Sequence, residues 1–219
     1  MEFENYEREL KYLLTENGKS SLEDVLQFLY KHGYKLVETK TQEKHETYYD
    51  DSSLTILNRG DVMRGSKHIT EQFNGFLYKK NKCDANKPYV SKLELGTKLR
   101  GQYKDVNEFI KELDVTVNGV LTPILYANMI RNVGIVEKNS DRLYVTYDKV
   151  KYFKKDESSA VYEEMLEIED WRKPNTTNVD YDYDAHLIEV NKLMLNGELP
   201  MKLTKDSKYF RGYTILNNR

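Results

Sequence analysis

The strongest constraint on this chain is charge set inside strand periodicity. "ERELKYLL", residues 7–14, places Glu7, Glu9 and Lys11 two residues apart, with Leu10, Tyr12 and Leu14 between them. Successive side chains of a strand point to opposite faces, so one face carries acid, acid and base while the other is apolar. "EEMLEIED" repeats the habit, with Glu163, Glu167 and Glu169 on one face and Leu166 and Ile168 on the other. "SDRLYVTYDKV" aligns Arg142, Tyr144, Thr146 and Asp148 opposite Leu143, Val145 and Tyr147. Arg64 in "RGDVMRGSKH", Lys79 and Lys80 in "GFLYKKNK", Lys92 and Glu94 in "SKLELG" and Lys208 in "SKYFRGY" add further charged strand positions. One such strand is an ordinary solvated surface. Many of them, in a chain only 39% hydrophobic and 32% charged, imply that the apolar faces are covered and that the charged faces line an interior.

The remaining periodicity supports a closed sheet. Alternating segments rich in Tyr, Val, Ile, Leu and Thr cover residues 4–14, 34–40, 44–50, 53–59, 61–68, 74–82, 88–96, 129–138, 142–152, 161–169 and 206–216. Three segments read as helices. In "GKSSLEDVLQFLYKHGY", Ser20 and Glu23 form a capping box, Leu22, Val25, Leu26 and Leu29 make the apolar stripe, and Gly33 stops the helix. "DVNEFIKELD" starts on Asp105 and turns Val106, Phe109, Ile110 and Leu113 to one side. A third helix spans about 184–196, with Leu187, Val190 and Met194 inward and Gly197 and Pro200 beyond it. Many strands and few helices predict an α+β, mainly β chain: a closed antiparallel barrel of about eight strands with helices packed outside, forming one domain over 1–219. The stretch "DWRKPNTTNVDYDYD" reads as an exposed loop.

Composition limits the partners. The net charge of −2 gives no bulk attraction to duplex nucleic acid or to a membrane surface. Eighteen Tyr and seven Phe supply enough buried area to argue against disorder. The single cysteine, Cys83, allows no intrachain disulfide and suits a reducing, cytoplasmic compartment. The acidic start "MEFENYEREL" lacks the apolar core of a signal peptide, and no apolar run approaches the roughly 18–20 residues of a membrane helix. The histidines at 32, 45, 68 and 186 show no metal-ligand spacing.

A barrel lined by both acids and bases has a specific use. Its cations can hold the oxygens of a polyanion, and its carboxylates can hold a divalent metal that bridges the same phosphates. Phosphoryl transfer needs little beyond positioning and stabilisation of the moving charge.

"ERELKYLL" matches the ExExK strand of the CYTH superfamily, the triphosphate tunnel metalloenzymes, with Glu7, Glu9 and Lys11 in the three defined positions. "ETYYDDSSLTIL" resembles that superfamily's "YYDTP..L" segment. Within the superfamily the chain is most similar to the polyphosphate polymerase domains of the vacuolar transporter chaperone type and their bacterial relatives. "LTPILYANMIRNVGIVEKNSDRLYVTYD" resembles their paired-arginine strands, with Arg131 on the first and Arg142 on the second. "MLEIE" resembles their acidic strand, and "SKYFRGY" their C-terminal "SKY" strand.

The resemblance implies a site and a reaction. Lys11, Arg64, Lys80, Arg131, Arg142 and Lys208 would bind substrate, with Lys11, Arg142 and Lys208 acting in catalysis. Glu7, Glu9, Glu167 and Glu169 would hold Mg²⁺ or Mn²⁺. The substrate would be inorganic polyphosphate, tripolyphosphate or a nucleoside triphosphate. The reaction would be polymerase-like phosphoryl transfer, with triphosphate hydrolysis or binding without turnover as the alternatives. Two departures weaken the polymerase branch. It usually carries Arg-x-Arg where this chain has Val62-Met63-Arg64, and it often has Lys where this chain has Glu169. Lys79 remains the alternative to Lys80, and strand register decides which way Glu94 faces.

Overall fold

A computed structural model describes residues 3–14, 21–69, 74–96, 103–139, 141–156, 159–170, 183–197 and 199–218. Among the described residues, nine strands form one antiparallel sheet: β1 (Phe3–Leu14), β2 (Lys35–Asp50), β3 (Val62–His68), β4 (Asn74–Asn81), β5 (Val90–Gly96), β6 (Thr122–Lys138), β7 (Asp141–Phe153), β8 (Ala160–Asp170) and β9 (Met201–Thr204). Their order is β5-β4-β3-β2-β6-β7-β8-β1-β9. A second pairing, β1 with β5 over Phe3–Glu9, closes the first eight strands into a barrel. β9 continues along the same edge of β1, beside Lys11–Leu14. The described residues also form five helices: α1 (Leu22–Lys31), α2 (Thr55–Asn58), α3 (Val106–Lys111), α4 (Tyr183–Asn196) and α5 (Lys208–Asn217). Among the described residues, no helix is long and apolar enough to cross a membrane.

The period-two pattern decides which side of each strand is covered. Leu10 and Tyr12 of β1, Leu143 and Val145 of β7 and Leu166 and Ile168 of β8 form an outer apolar face. Against it pack Val25 and Leu29 of α1 and Leu187, Val190 and Met194 of α4. On the far side α3 lays Val106, Phe109 and Ile110 over Met63 and Tyr78. Burying aliphatic and aromatic side chains of this size contributes roughly 1.5–3 kcal/mol each. The helices therefore hold the outer faces dry and leave the polar faces to the lumen.

α1 begins one residue later than its predicted cap. Ser21 Oγ accepts from the Asp24 amide at 3.2 Å, and the Asp24 carboxylate accepts from the Ser21 amide at 2.7 Å. Asp105 caps α3 as expected, accepting from the amides of Asn107 and Glu108. β2 is one strand where two were expected, because β6 pairs with it through Thr41, Gln42 and Glu43. The 53–59 segment is not a strand. Asp50 accepts from the amides of Ile56 and Leu57, Asp51 accepts from those of Ser53 and Thr55, and the chain turns into α2. Most of the segment "DWRKPNTTNVDYDYD" lies outside the described residues.

The 206–216 segment differs most from its prediction. Its Tyr, Phe, Thr and Ile residues suit a strand, yet it folds as α5. Ser207 caps it, accepting from the Phe210 amide at 3.1 Å. Tyr209, Gly212 and Leu216 are buried at helical spacing. α5 fills one end of the barrel. There the inner faces turn apolar, and Tyr209 and Leu216 pack with Tyr48, Leu125, Met129, Val150, Tyr152 and Val161. Tyr209 stacks on Tyr48 at 5.3 Å between centroids, and its hydroxyl donates to Asp50 at 2.9 Å. Gly212 lies so close to Tyr152 that a Cβ there would stand 2.5 Å from the ring. The barrel is thus plugged at one end by a helix, and its charged cavity lies beyond the plug.

Candidate functional site: a charged tunnel

Strand pairing assembles the cavity. The register sets Glu9 of β1 opposite Glu169 of β8, and Lys11 opposite Glu167. It sets Arg131 of β6 opposite Asp148 of β7, and Lys79 of β4 opposite Glu94 of β5. Residues opposite each other on neighbouring strands share a face. All the members of these pairs except Asp148 line one cavity of about 110 Å³, together with Glu7, Arg64, Lys92, Lys208 and Thr146. Its bases are Lys11, Arg64, Lys79, Lys92, Arg131 and Lys208, and its acids are Glu7, Glu9, Glu94, Glu167 and Glu169.

Glu167 is the hub of one wall. Its carboxylate lies 3.0 Å from Lys11 Nζ, 2.5 Å from Lys208 Nζ and 2.9 Å from Arg131 Nη2. Burial pushes its proton affinity up, but Lys11, Lys208 and Arg131 outweigh burial and hold the carboxyl well below the usual range. Asp148, fully buried, takes a bidentate pair from Arg131 at 2.8 and 2.6 Å and lies 2.9 Å from Lys208 Nζ. Lys11 Nζ also lies 2.8 Å from Glu9. Burial opposes the charge on Lys11, yet Glu167, Glu9 and Glu7 raise its affinity for the proton.

The opposite wall is built alike. Lys79 Nζ donates to both oxygens of Glu7 at 2.7 and 2.6 Å and lies 2.6 Å from Glu94. Arg64 Nη1 lies 2.8 Å from Glu46, which also accepts from the Tyr48 hydroxyl at 2.5 Å. Burial works against the Glu46 charge, but Arg64 and that hydroxyl lower its carboxyl to about 2. Ser207, Lys208 and Tyr209 line the cavity at the first turn of α5. The positive end of that helix dipole therefore adds to the field that favours an anion.

Two groups stand out of balance. Lys92 is 4% exposed, and among the described residues no carboxylate oxygen lies within 4.0 Å of its amine. Burial first, and then the charge of Lys11, push its pKa down to about 7. Glu169 is the converse case. Burial and the nearby charges of Glu7 and Glu9 push its carboxyl well above the usual range. One wall thus crowds carboxyl groups together, and a neighbouring position holds an amine that no carboxylate oxygen of the described residues approaches within 4.0 Å.

The predicted residues fall into three groups. Glu7, Glu9, Lys11, Arg64, Arg131, Glu167, Glu169 and Lys208 all line the cavity. Lys80 does not, and Lys79 takes its place. Lys80 shares the outer face of β4 with Tyr78, which packs under α3, and it is exposed there. Alternation ties the two together correctly, but the face they share is the outer one. Arg142 sits on the inner row of β7 with Tyr144 and Thr146, but at the rim. It pairs with Glu137 of β6 and is not part of the cavity lining. Lys208 reaches the cavity from the first turn of a helix, not from a strand.

Sequence reasoning placed Lys92, Glu94 and Asp148 on charged strand faces without assigning them to the site. Their spacing of two, as in "SKLELG", was the available signal. Among the described residues, no three His, Cys, Asp or Glu side chains converge as a metal cage, because lysine and arginine occupy the space between the acids.

Solved structures share this closed antiparallel barrel. A protein from Pyrococcus horikoshii is 18% identical with a TM-score of 0.56, over 97% of this chain and 99% of that one. A Bacillus halodurans protein assigned as an adenylate cyclase is 12% identical with a TM-score of 0.54, over 95% and 97%. A Hippeastrum protein assigned as an adenylyl cyclase, but with a dominant triphosphatase activity, is 14% identical with a TM-score of 0.53, over 94% and 95%. No family model and no curated protein sequence matches the chain.

Proposed function

We propose that this chain is a triphosphate-acting enzyme that binds the phosphate chain of tripolyphosphate or a nucleoside triphosphate in the tunnel and transfers the terminal phosphoryl group to water. The observation that carries this is the convergence of Lys11, Arg64, Lys79, Lys92, Arg131 and Lys208, from β1, β3, β4, β5, β6 and α5, on one buried cavity. Surface charges from elements so far apart in sequence have no reason to meet. In a low-dielectric lumen each can give a phosphate oxygen a charge-assisted hydrogen bond. Glu167 holds Lys11, Lys208 and Arg131 in place and is the anion that an incoming phosphate replaces. Phosphate chemistry asks little more of the protein than this positioning.

The donor set fits a hard divalent cation. Glu7, Glu9 and Glu169 line the same cavity and offer only carboxylate oxygens, although among the described residues no three acids yet converge as a cage. These three residues would hold Mg²⁺ or Mn²⁺. When bound, such an ion supplies Lewis-acid stabilisation of charge on the phosphate oxygens.

Hydrolysis is favoured over polymerisation by the position of Arg142. The resemblance to polymerases gives this residue a phosphate contact, whereas here it pairs with Glu137 at the rim. Likeness to the Hippeastrum protein, whose dominant activity is triphosphatase, supports the same choice. The test is incubation with Mn²⁺ or Mg²⁺ and tripolyphosphate, ATP or GTP, with Lys11→Ala as control. Metal-dependent orthophosphate release that Lys11→Ala loses is the expected result. Long phosphate chains would instead show a polymerase, and unchanged substrate with measurable binding a capture module.

A further inference from the structure

β2 outruns one of its neighbours. β6 pairs with it from Lys35 to Asp50, but β3 pairs with its other edge only from Lys44 to Tyr48. The Ile69 amide, donating to the Glu43 carbonyl at 2.9 Å, extends that contact by one residue. Among the described residues, no strand lies along the rest of this edge, from Lys35 to Gln42. Burial follows the same division. From Gln42 onward alternate residues of β2 are buried, whereas Lys35–Thr39 and Thr41 are exposed and Lys40 is half-buried. Both faces of this half therefore meet solvent, although Val133 and Ile135 of β6 across from it are buried. Leu36 and Val37, 54% and 50% exposed, belong to it.

An open strand edge is a template for another strand, and proteins blunt such edges with charges and bulges. Here a bulge falls between Leu36 and Glu38, so regular extension is confined to the stretch beyond it. Backbone groups of a strand alternate in direction. Because the Glu43 carbonyl faces the β3 side, the N–H and C=O groups of Thr41 and Thr39 face that side too. A second copy pairing antiparallel there must set threonine against threonine, in one of three registers. Thr41 against the partner's Thr41 places Glu43 opposite Thr39, where Ile69 already holds the Glu43 carbonyl. Thr39 against the partner's Thr41 places Lys40 opposite the partner's Lys40, a direct like-charge contact. Thr39 against the partner's Thr39 places Glu38 opposite the partner's Lys40 and, by symmetry, Lys40 opposite the partner's Glu38. Charge of one sign would repel a copy in every register. Glu38 and Lys40 instead leave one register open and make it attractive twice.

We propose that this edge is a homodimer interface: two copies pair antiparallel through β2, centred on Thr39, with Glu38 of each against Lys40 of the other. The sheet then continues across the two-fold axis, and the exposed Leu36 and Val37 flank the contact at both ends. The paired stretch is short beside a standard interface of about 1,600 Å², so the dimer is weak and concentration-dependent.

The experiment is sedimentation velocity at protein concentrations from about 1 to 200 µM, with circular dichroism to check each fold. The wild type should pass from monomer to dimer over this range, and added salt should weaken the dimer. Glu38→Lys turns both cross-strand pairs into like-charge contacts and should raise the dimer Kd about 10-fold; Lys40→Glu should do the same. The double exchange, Glu38→Lys with Lys40→Glu, restores opposite charges and should bring Kd back to within about twofold of wild type. Thr39→Pro removes the central donor while sparing the bonds to β6, and should leave only monomer. The double exchange and Thr39→Pro keep the test open if a single reversal fails to fold. A wild type that stays monomeric throughout, a dimer that single reversals leave unchanged, or a double exchange as weak as either single one would overturn the proposal.

Discussion

Replacing Glu167 by Gln removes one negative charge from the centre of three cations. Lys11, Lys208 and Arg131 approach that carboxylate to 3.0, 2.5 and 2.9 Å, with side chains only 4%, 7% and 16% exposed. Removing one partner of a buried pair typically costs about 3–5 kcal/mol, because the remaining charge stays desolvated. Glu9 still neutralises part of Lys11, and Asp148 part of Lys208 and Arg131. The lower end, about 3 kcal/mol, therefore applies. For a chain of this size each kcal/mol moves Tm by about 2–4 °C, so Tm should fall by roughly 6–12 °C. The second readout is ligand rescue. In the wild type a phosphate must displace the carboxylate, and in the variant it meets three uncompensated cations. Tripolyphosphate without metal should therefore raise Tm by more in Glu167→Gln than in the wild type. Differential scanning calorimetry with and without ligand decides it. A Tm within about 2 °C of wild type, with equal ligand-induced shifts, would refute the view that Glu167 is the anion that phosphate replaces.

Four further outcomes are expected. Lys79→Met should weaken tripolyphosphate binding about 10- to 100-fold, while Lys80→Met should leave it unchanged in the same titration; the reverse order would undo the assignment of the β4 faces. In the proposed site Lys92 would hold phosphate only while protonated, and burial together with the charge of Lys11 pushes its pKa down to about 7. Wild-type affinity should therefore fall more steeply from pH 6 to pH 8.5 than that of Lys92→Met, whose profile carries only the other titrations. In the ligand-free protein the sign reverses, because above about 7 the folded state sheds a proton that the unfolded chain keeps up to the ordinary lysine value of 10.5. The Lys92 contribution to stability thus rises with pH across that window. Mn²⁺ should raise the wild-type Tm and do so less in Glu9→Gln, and equal shifts would remove Glu9 from the metal set. Gly212→Ala, although alanine is the better helix former, should destabilise by about 1–3 kcal/mol because its Cβ meets the buried Tyr152 ring; a stabilised variant in urea denaturation would mean that α5 is not seated in the barrel.

Much of this architecture is written locally. In β1 and β8 the alternation of Glu7, Glu9 and Lys11 with Leu10 and Tyr12, and of Glu167 and Glu169 with Leu166 and Ile168, separates two faces whatever the rest of the chain does. The stripes of α1, α3 and α4 are equally local, and each helix formed close to its predicted place.

What local pattern cannot say is which face becomes the inside. Lys79 and Lys80 are adjacent on one strand, and only the packing of Tyr78 under α3 sends Lys79 to the lumen. Nor does alternation reveal that the inner faces change character along their length. β7 runs from Thr146, which lines the charged cavity, and Asp148, which pairs with Arg131 and Lys208 behind it, to Val150 and Tyr152 in the plug. The plug itself was hidden because its residues have strand propensity. "SKYFRGYTIL" becomes a helix because Ser207 caps it and the barrel end offers Tyr48, Tyr152 and Asp50 to bury Tyr209. Tertiary burial there outweighs a propensity difference of less than about 1 kcal/mol per residue. The same closure brings Lys92 beside Lys11 and sets Lys44 within reach of Arg131 and Arg64. Strand alternation determined which charges share a face, and barrel closure decided which faces meet, because side-chain direction is local whereas the pairing of β1 with β5, from Glu9 with Val90 to Phe3 with Gly96, joins residues far apart in the chain.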